Sequence, residues 1–538
     1  MATVHDDDER LLAQIGYTQD FRRHFNKYST LSYAVSVLGV LGSVPATFGI
    51  PLGYGGPASC IWAWFVGSIM AQIVSSSGNV LIGKLVGPLL MRKVSELVSA
   101  YPTAGGMYFV TKNVVPPEHA ALWSFVIGWA NLLGQTAGVA SVTYTVSQMI
   151  LAAISMNSEF DGTSYAFSPT ALQTVLLSMV ILVIFGIICS LTTSTLHKLV
   201  LWFAPINIVA SISICIALLV LTPNKQPASW VFGHFIDGSG WGTGFSFLLS
   251  FLAVAWTMTD YDGTTHMAEE THDAAIQGPM AIRHAVTISG AIGWMLTVTF
   301  CFCTTDLDAI VNSPTGLPAA QIFLNAAGTS GGTVMWFFVV LVQCFTGCSA
   351  MLADTRMAYA FARDGALPFS KFWSEVNSVT STPLHSVWLV VVFSCLLNTI
   401  GIGSTQTITA IFNITAPALD ISYATVILAR NIYSSRIKFV PGPYTLGKWQ
   451  KPLNWITIVW VFFISVVLLL PTERPITVLN MNYAVVVGAA IAVFSFGWWW
   501  AGARNTYTGP KTQDLLEIVP QEDEEVCGSG LEDDSDNY

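Results

Sequence analysis

The stretch "FLAVAWTMTDYDGTTHMAEETHDA" (residues 251–274) begins as an apolar helix. It then turns into a run carrying Asp260, Asp262, His266, Glu269 and Glu270. The chain around it is 53% hydrophobic and only 10% charged, so this concentration of ionisable groups needs a physical reason. An exposed helix end in water carries such groups at little cost, whereas hydrocarbon penalises each of them. The reading of the stretch therefore depends on the solvent around it.

Composition identifies that solvent. The mean hydropathy is +0.59 over 538 residues, far above an ordinary globular chain. The apolar residues come in long blocks, such as LVLWFAPINIVASISICIALLVL (199–221) and VMWFFVVLVQCFTGCSAML (334–352). Each is close to the roughly 20 residues that cross a bilayer as a helix. The blocks predict an all-α polytopic membrane protein with twelve spans, at 31–52, 57–75, 119–147, 171–191, 197–221, 243–263, 280–304, 332–354, 384–402, 404–428, 453–471 and 482–502. A cleaved leader would place its apolar segment nearer the N-terminus than Leu31, so none is expected. The nine cysteines are scattered and form neither a disulfide framework nor a zinc motif. No metal or other cofactor is expected, and no nucleic-acid partner. With no nucleophile–base constellation or phosphate loop, the chain does not read as an enzyme.

Charge gives orientation. The net charge of -10 resides in the C-terminal tail, where ten acidic residues and no basic one follow Lys511; the remainder balances. Residues 503–538 thus read as an acidic, disordered cytoplasmic tail. Of the 22 basic residues, 17 fall in segments that are cytoplasmic if residues 1–30 form a cytoplasmic N-terminal tail, and only Lys225 and Arg474 fall outside. The remaining three, Lys84, Arg92 and Lys93, lie in "SSSGNVLIGKLVGPLLMRK" (75–93), whose apolar part is too short to cross. Counting it as a span would invert the charge bias. The transmembrane domain accordingly runs over 31–502 with both termini inside, and 75–93 stands as an atypical insertion in helix 2.

The first span contains "SVLGVLGSVPATFG" (36–49), with Gly39, Gly42, Ser43 and Pro45 crowded at its centre. The sixth is interrupted near Met258–Gly263 by Asp260, Asp262 and Gly263. Broken helices survive in a membrane only where protein or a polar cavity covers the backbone. Breaks at the first positions of two consecutive five-span sets point to the binding site of a secondary transporter. A half-helix N-terminus offers N–H groups to a carboxylate, and a half-helix C-terminus offers carbonyls to an ammonium. The pair predicts interruptions within 39–46 and 256–264, in helices that run antiparallel and meet near the midplane. Glycine and proline also kink packed helices without any site.

Beyond this physical reading, "SELVSAYPTAGGMYF" (95–109), "GWANLLGQTAGVAS" (128–141), "DGTTHMAEETHDAAIQGPMAI" (262–282), "RMAYAFARDGALPFS" (356–370) and "GPYTLGKW" (442–449) resemble the amino acid–polyamine–organocation superfamily. More narrowly they resemble its fungal amino acid/choline transporter group, which includes 4-aminobutyrate (GABA) and choline permeases. The resemblance runs from about Glu9 to Lys511. It implies an inverted repeat of helices 1–5 and 6–10, and uptake driven by a cation gradient, usually protons. It also implies that Gly39, Gly42 and Ser43 at the first break meet a carboxylate. Ala255, Trp256 and Thr257 would face the amine, with the Trp256 ring as lid and Tyr261 nearby, and Asn131 and Gln135 would line the same cavity. Relatives run from the second span directly into S-E-L-V-S-A-Y-P, so 75–93 is a departure: a genuine insertion or translated intron sequence.

Several acids have two readings. Glu269, Glu270, His272 and Asp273 are a solvated helix face or an inner gate, and His266 is a packed polar residue beside them. Asp260 and Asp262 either gate and couple transport or hold structure; Asp420, in "APALDISYA" (416–424), either couples or bridges helices. Glu96 is expected to pair at the inner gate with Arg356 or Arg363. The function expected is a proton symporter of the plasma membrane, importing GABA or another amino acid across the lipid bilayer. Choline or polyamine permease is the alternative, with Trp256 and Tyr261 as the start of an aromatic cage. A non-transporting nutrient sensor is a third reading, disfavoured by the short tails.

Overall fold

The computed structural model describes residues 21–75, 94–403, 405–437, 450–478 and 480–510, together with Leu12 and Phe439. The insertion at 76–93 and the acidic tail beyond Pro510 lie outside the described residues. Among those described there is no strand, only isolated bridges, and eleven helices are long and apolar enough to cross a membrane. A shorter apolar helical segment, Thr243–Thr257, stands at the place of the sixth predicted span. Every predicted span thus has its helix.

Boundaries moved where polar residues are buried by neighbours. Span 1 starts at Lys27, capped by the Asn26 side chain on the Tyr28 and Ser29 amides. Spans 1 and 2 follow each other through a continuous helical stretch whose only non-helical residue is Gly56 (φ 79°), next to the predicted start at 57. Span 8 was expected to end at Asp354, but the helix runs from Pro318 to Arg363. It continues because Asp354, Thr355 and Arg356 are fully buried by other spans, which hydropathy cannot register. Spans 3 (Pro117–Met156) and 10 (Thr405–Ile432) pack along each other and with span 8 enclose the broken helices.

Span 1 is divided into Lys27–Leu38 and Val40–Thr47, and span 6 into Phe251–Thr257 and Gly263–His266. The first half of span 1 packs on the second half of span 6, and the second half on the first. The two helices are therefore antiparallel, as an inverted repeat requires. Spans 4, 5, 11 and 12 present apolar side chains outward, among them Val180, Val209, Val220, Phe462 and Val493. Faces of that kind are stable against lipid and a liability against water.

Candidate functional site

The first break is one residue wide. Gly39 adopts the left-handed conformation (φ 40°, ψ 52°), which costs glycine nothing and any other residue strain. Its N–H closes the preceding helix on Val35 O, and its carbonyl accepts the N–H groups of Gly42 and Ser43, each at 2.9 Å. Those two amides, expected to be free for a carboxylate, are thus engaged in the helix that restarts at Val40. Pro45 lies inside that helix rather than in the break. There it removes the bond its amide would make to Leu41 O and crowds that carbonyl.

Span 8 fills the gap. A Cβ on Gly39 would fall 1.6 Å from Thr346 Oγ1, and one on Gly42 2.2 Å from Gln343 Oε1. The Ser43 hydroxyl is placed to donate to Leu38 O (3.3 Å) and lies 3.4 Å from Gln343 Oε1. An amide oxygen thus stands over the first turn of Val40–Thr47.

The second break is wider and held by side chains. Span 6 stops at Thr257, where the Met258 N–H closes on Val254 O, and restarts at Gly263, whose N–H bonds Asp260 O at 3.0 Å. Asp260 is left-handed at φ 60°, a conformation aspartate tolerates better than most residues. Since residues 259–261 leave the helix, the carbonyls of Ala255, Trp256 and Thr257 face the gap without the next helical turn. The Thr257 hydroxyl turns back onto Ala253 O. The Trp256 indole N–H donates to Ser141 Oγ at 3.0 Å, and its ring lies on Phe412 with centroids 5.3 Å apart.

Asn131 and Gln135 sit at this break, one turn apart on span 3. Gln135 Nε2 donates to Asp260 Oδ1 (2.5 Å), and Asn131 Nδ2 to Asp262 Oδ2 (3.0 Å) and Ser422 Oγ (3.3 Å). Tyr423 of span 10 donates to the other oxygen of Asp262. His266 Nε2 is 3.6 Å from Asp262 Oδ2, with its Nδ1 at 2.7 Å from Ala104 O. Tyr261 stacks obliquely on Tyr423, and with half-buried Asp420 it lines a small cavity of about 30 Å³. The ring expected beside Trp256 therefore belongs to a different pocket.

Below the break the chain closes. Glu269 and Glu270 are buried and ion-paired, which overturns the solvated-face reading for these two. Arg363 clasps Glu269 with both terminal nitrogens (3.1 and 3.0 Å), and Arg356 Nε donates to Glu270 at 2.8 Å. The Ala104 N–H also donates to Glu269, from the "YPTAGG" turn. There Gly106 has φ +54°, and a Cβ would fall 2.9 Å from both His266 and Thr265. Arg23 donates to the carbonyls of Ala268 and Thr271, and Phe25 forms a parallel bridge with Thr271. The last residues of the N-terminal segment are thus part of the closure. Asp273 is exposed. Glu96 falls in the helix Val94–Ala100, but its side chain lies outside the described residues.

Sequence reasoning missed Gln343, Thr346, Asp354 and Arg23. The first two are ordinary polar residues of an apolar span, with nothing local to mark them. Asp354 read as a span end. Only Arg23 carried a signal, as a basic residue just before the first span.

Residues 28–491 match the amino acid permease family. An uncharacterized amino-acid permease of Schizosaccharomyces pombe is 40% identical, covering 94% of this chain and 90% of the relative. Amino-acid permease 2 of Neurospora crassa is 33% identical over 94% and 90% of the two chains. Amino-acid permease BAT1 of Arabidopsis thaliana is 31% identical over 94% and 97%.

Proposed function

The chain belongs to the amino acid permease family, a multi-pass membrane transporter of amino acids, and on that premise we propose proton-coupled import of a small amino acid such as GABA. The observation that carries the reading is the antiparallel pair of breaks. One ends in a helix N-terminus at Val40, the other in free carbonyls at Ala255–Thr257. A zwitterion is held between them without a buried counter-charge. Gln343 Oε1, standing over Gly42 and Ser43, occupies the place a substrate carboxylate oxygen takes, so binding displaces the Gln343 side chain. Trp256, tied to Ser141 and Phe412, closes the amine end. Asn131 and Gln135 act one step removed, by positioning Asp262 and Asp260. The separate partners of Trp256 and Tyr261 leave the aromatic cage of a choline site unassembled.

Coupling and gating are read into the acids of this region, Asp260, Asp262 and Asp420 around the second break and Glu96 at the inner gate. The charge bias supports a cytoplasmic side for the paired Glu269–Arg363 and Glu270–Arg356, in what we read as the plasma membrane. Uptake of labelled GABA, proline, choline and putrescine into permease-deficient yeast, at several external pH values, tests the reading. Uptake of an amino acid that rises with external acidity supports it; uptake of choline or putrescine alone, or no pH dependence, overturns it. The segment 75–93 is read as a dispensable insertion between Val74 and Val94. Its deletion is expected to preserve surface expression and uptake, and a deletion variant that reaches the surface but is inactive would refute that.

A further inference from the structure

The buried acids around the second break are unequally provided for. Asp262 has donors on both oxygens, Asp260 has the Gln135 amide, and Glu269 and Glu270 have arginines. Asp354 of span 8 is fully buried, and neither of its carboxylate oxygens has a partner at hydrogen-bonding distance among the described residues, the Thr136 hydroxyl interacting with it only at longer range. Its place in the fold is well defined. A Cβ on Gly263 would lie 3.3 Å from the Cβ of neighbouring Ala353 and 3.4 Å from Asp260 Oδ1, so this turn of span 8 rests on the restart of span 6. Thr136 of span 3 faces the Asp354 carboxyl, and Asp260 is close enough to interact with it electrostatically.

We propose that Asp354 is the cation-accepting carboxylate of the transport cycle, holding the coupling proton opposite Asp260 where spans 3, 6 and 8 meet. The inference rests on the proton-coupled reading above and names the group that carries it out. Two other unpartnered buried atoms on the span 3 side, Asn131 Oδ1 and Gln135 Oε1, are also acceptors. Donors without a partner do occur around this turn, Arg356 Nη2 and the Tyr261 and Thr264 hydroxyls among them, but none is within hydrogen-bonding distance of Asp354. Arg356 is two residues along the helix, where side chains do not share a face, and it binds Glu270 and Thr355. Tyr33 of span 1 donates to Ser349 O, Tyr423 to Asp262, and His266 is held between Ala104 O and Asp262.

A bare carboxylate in such surroundings is among the least favourable groups a protein can bury. A proton added to one Asp354 oxygen forms an O–H bond, cancels the charge and supplies a donor toward Thr136 or Asp260. When the gate opens and the restart of span 6 leaves span 8, water reaches the carboxyl and takes the proton. Loading with the gate shut and release with it open is what coupling requires.

The experiment uses the full chain in proteoliposomes, with labelled amino acid and a pH gradient. Asp354→Asn keeps size and supplies its own amide donor, and is expected to retain exchange of substrate across the membrane. It should lose accumulation against a gradient, proton co-transport and the pH dependence of substrate affinity; Asp354→Glu should restore them. An Asp354→Asn protein that accumulates substrate with the parent's pH profile and proton flux overturns the proposal. Should Asp354→Asn fail to fold, carbodiimide labelling of the parent, mapped by mass spectrometry, decides. Labelling of Asp354 that declines with rising pH supports the proposal, and labelling of Asp260 or Asp420 with none at Asp354 overturns it. A parent driven by a sodium gradient and indifferent to pH refutes proton coupling; loss of that drive in Asp354→Asn would still keep Asp354 as the cation site.

Discussion

The two breaks solve the same problem with different chemistry. The first uses a single glycine in a left-handed turn, carries no charge, and is filled by Gln343 and Thr346 of span 8. The second spreads over several residues, puts an aspartate in the left-handed conformation, and ties two carboxylates to spans 3 and 10. A break closed by packing is a rigid seat whose geometry tolerates almost no added atom. A break closed by carboxylate–amide bonds is a junction, because each bond joins span 6 to another element. Its lower end reaches the buried pairs Glu270–Arg356 and Glu269–Arg363, so span 6 cannot shift without disturbing them. On the proposed reading the first break seats the substrate's carboxylate, and the second holds its amine end and the coupling acids.

The largest expected effect tests the junction. Arg356→Ala removes the partner of Glu270, a side chain only 1% exposed, and leaves an unpaired buried carboxylate. Breaking such a pair typically costs about 3–5 kcal/mol. Thermal unfolding of the purified protein should shift strongly downward, with most of the loss recovered in Arg356→Ala combined with Glu270→Ala. A double variant as unstable as the single one would show that the arginine acts through packing instead.

Next comes the seat. Gly39→Ala forces a side chain into the left-handed region, at about 1–2 kcal/mol, and overpacks a filled contact, at about 1–3 kcal/mol. Its Cβ falls 1.6 Å from Thr346 Oγ1 and 2.8 Å from Thr346 Cβ, so Thr346→Ala added to it should remove the worse contact and leave the milder one together with the backbone strain. Surface expression and uptake measured together separate the two contributions. Full recovery in the double variant would show that φ at Gly39 is not strained.

The smallest effect is a control outside both breaks. Asp161, in the loop between spans 3 and 4, is fully exposed and accepts the N–H groups of Ser164 and Thr163. The Ser164 amide foremost, then those of Thr163, lower its carboxyl from the ordinary 3.8 to about 2. Because the folded value is depressed, the turn's contribution is complete above the ordinary value and is lost as pH falls through about 2. Asp161→Asn should raise hydrogen exchange in residues 157–170 at neutral pH and leave transport unchanged. An aspartate that caps its own loop then stands against two that join spans. Impaired transport in that variant would remove the contrast.

Length, hydropathy and charge by themselves determined the membrane class, the spans and the positions of both breaks, because these properties follow from each residue's own cost in hydrocarbon and from local backbone preference. Glycines at 39 and 42 and aspartates at 260 and 262 announce interrupted helices whatever surrounds them. Partnership is another matter. Gln135 reaches Asp260 from 125 residues away, Arg356 reaches Glu270 from 86, and Ser43 is 300 from Gln343. No local pattern encodes those separations, since they arise from how whole helices cross. The same applies to Asp354, an ordinary acid at the end of an apolar block until the helix is seen to continue to Arg363 and bury it. Only the tertiary structure decided which buried acids have donors, and that among the described residues Asp354 has none at hydrogen-bonding distance. The strength of a buried charge's need depends on every neighbour at once.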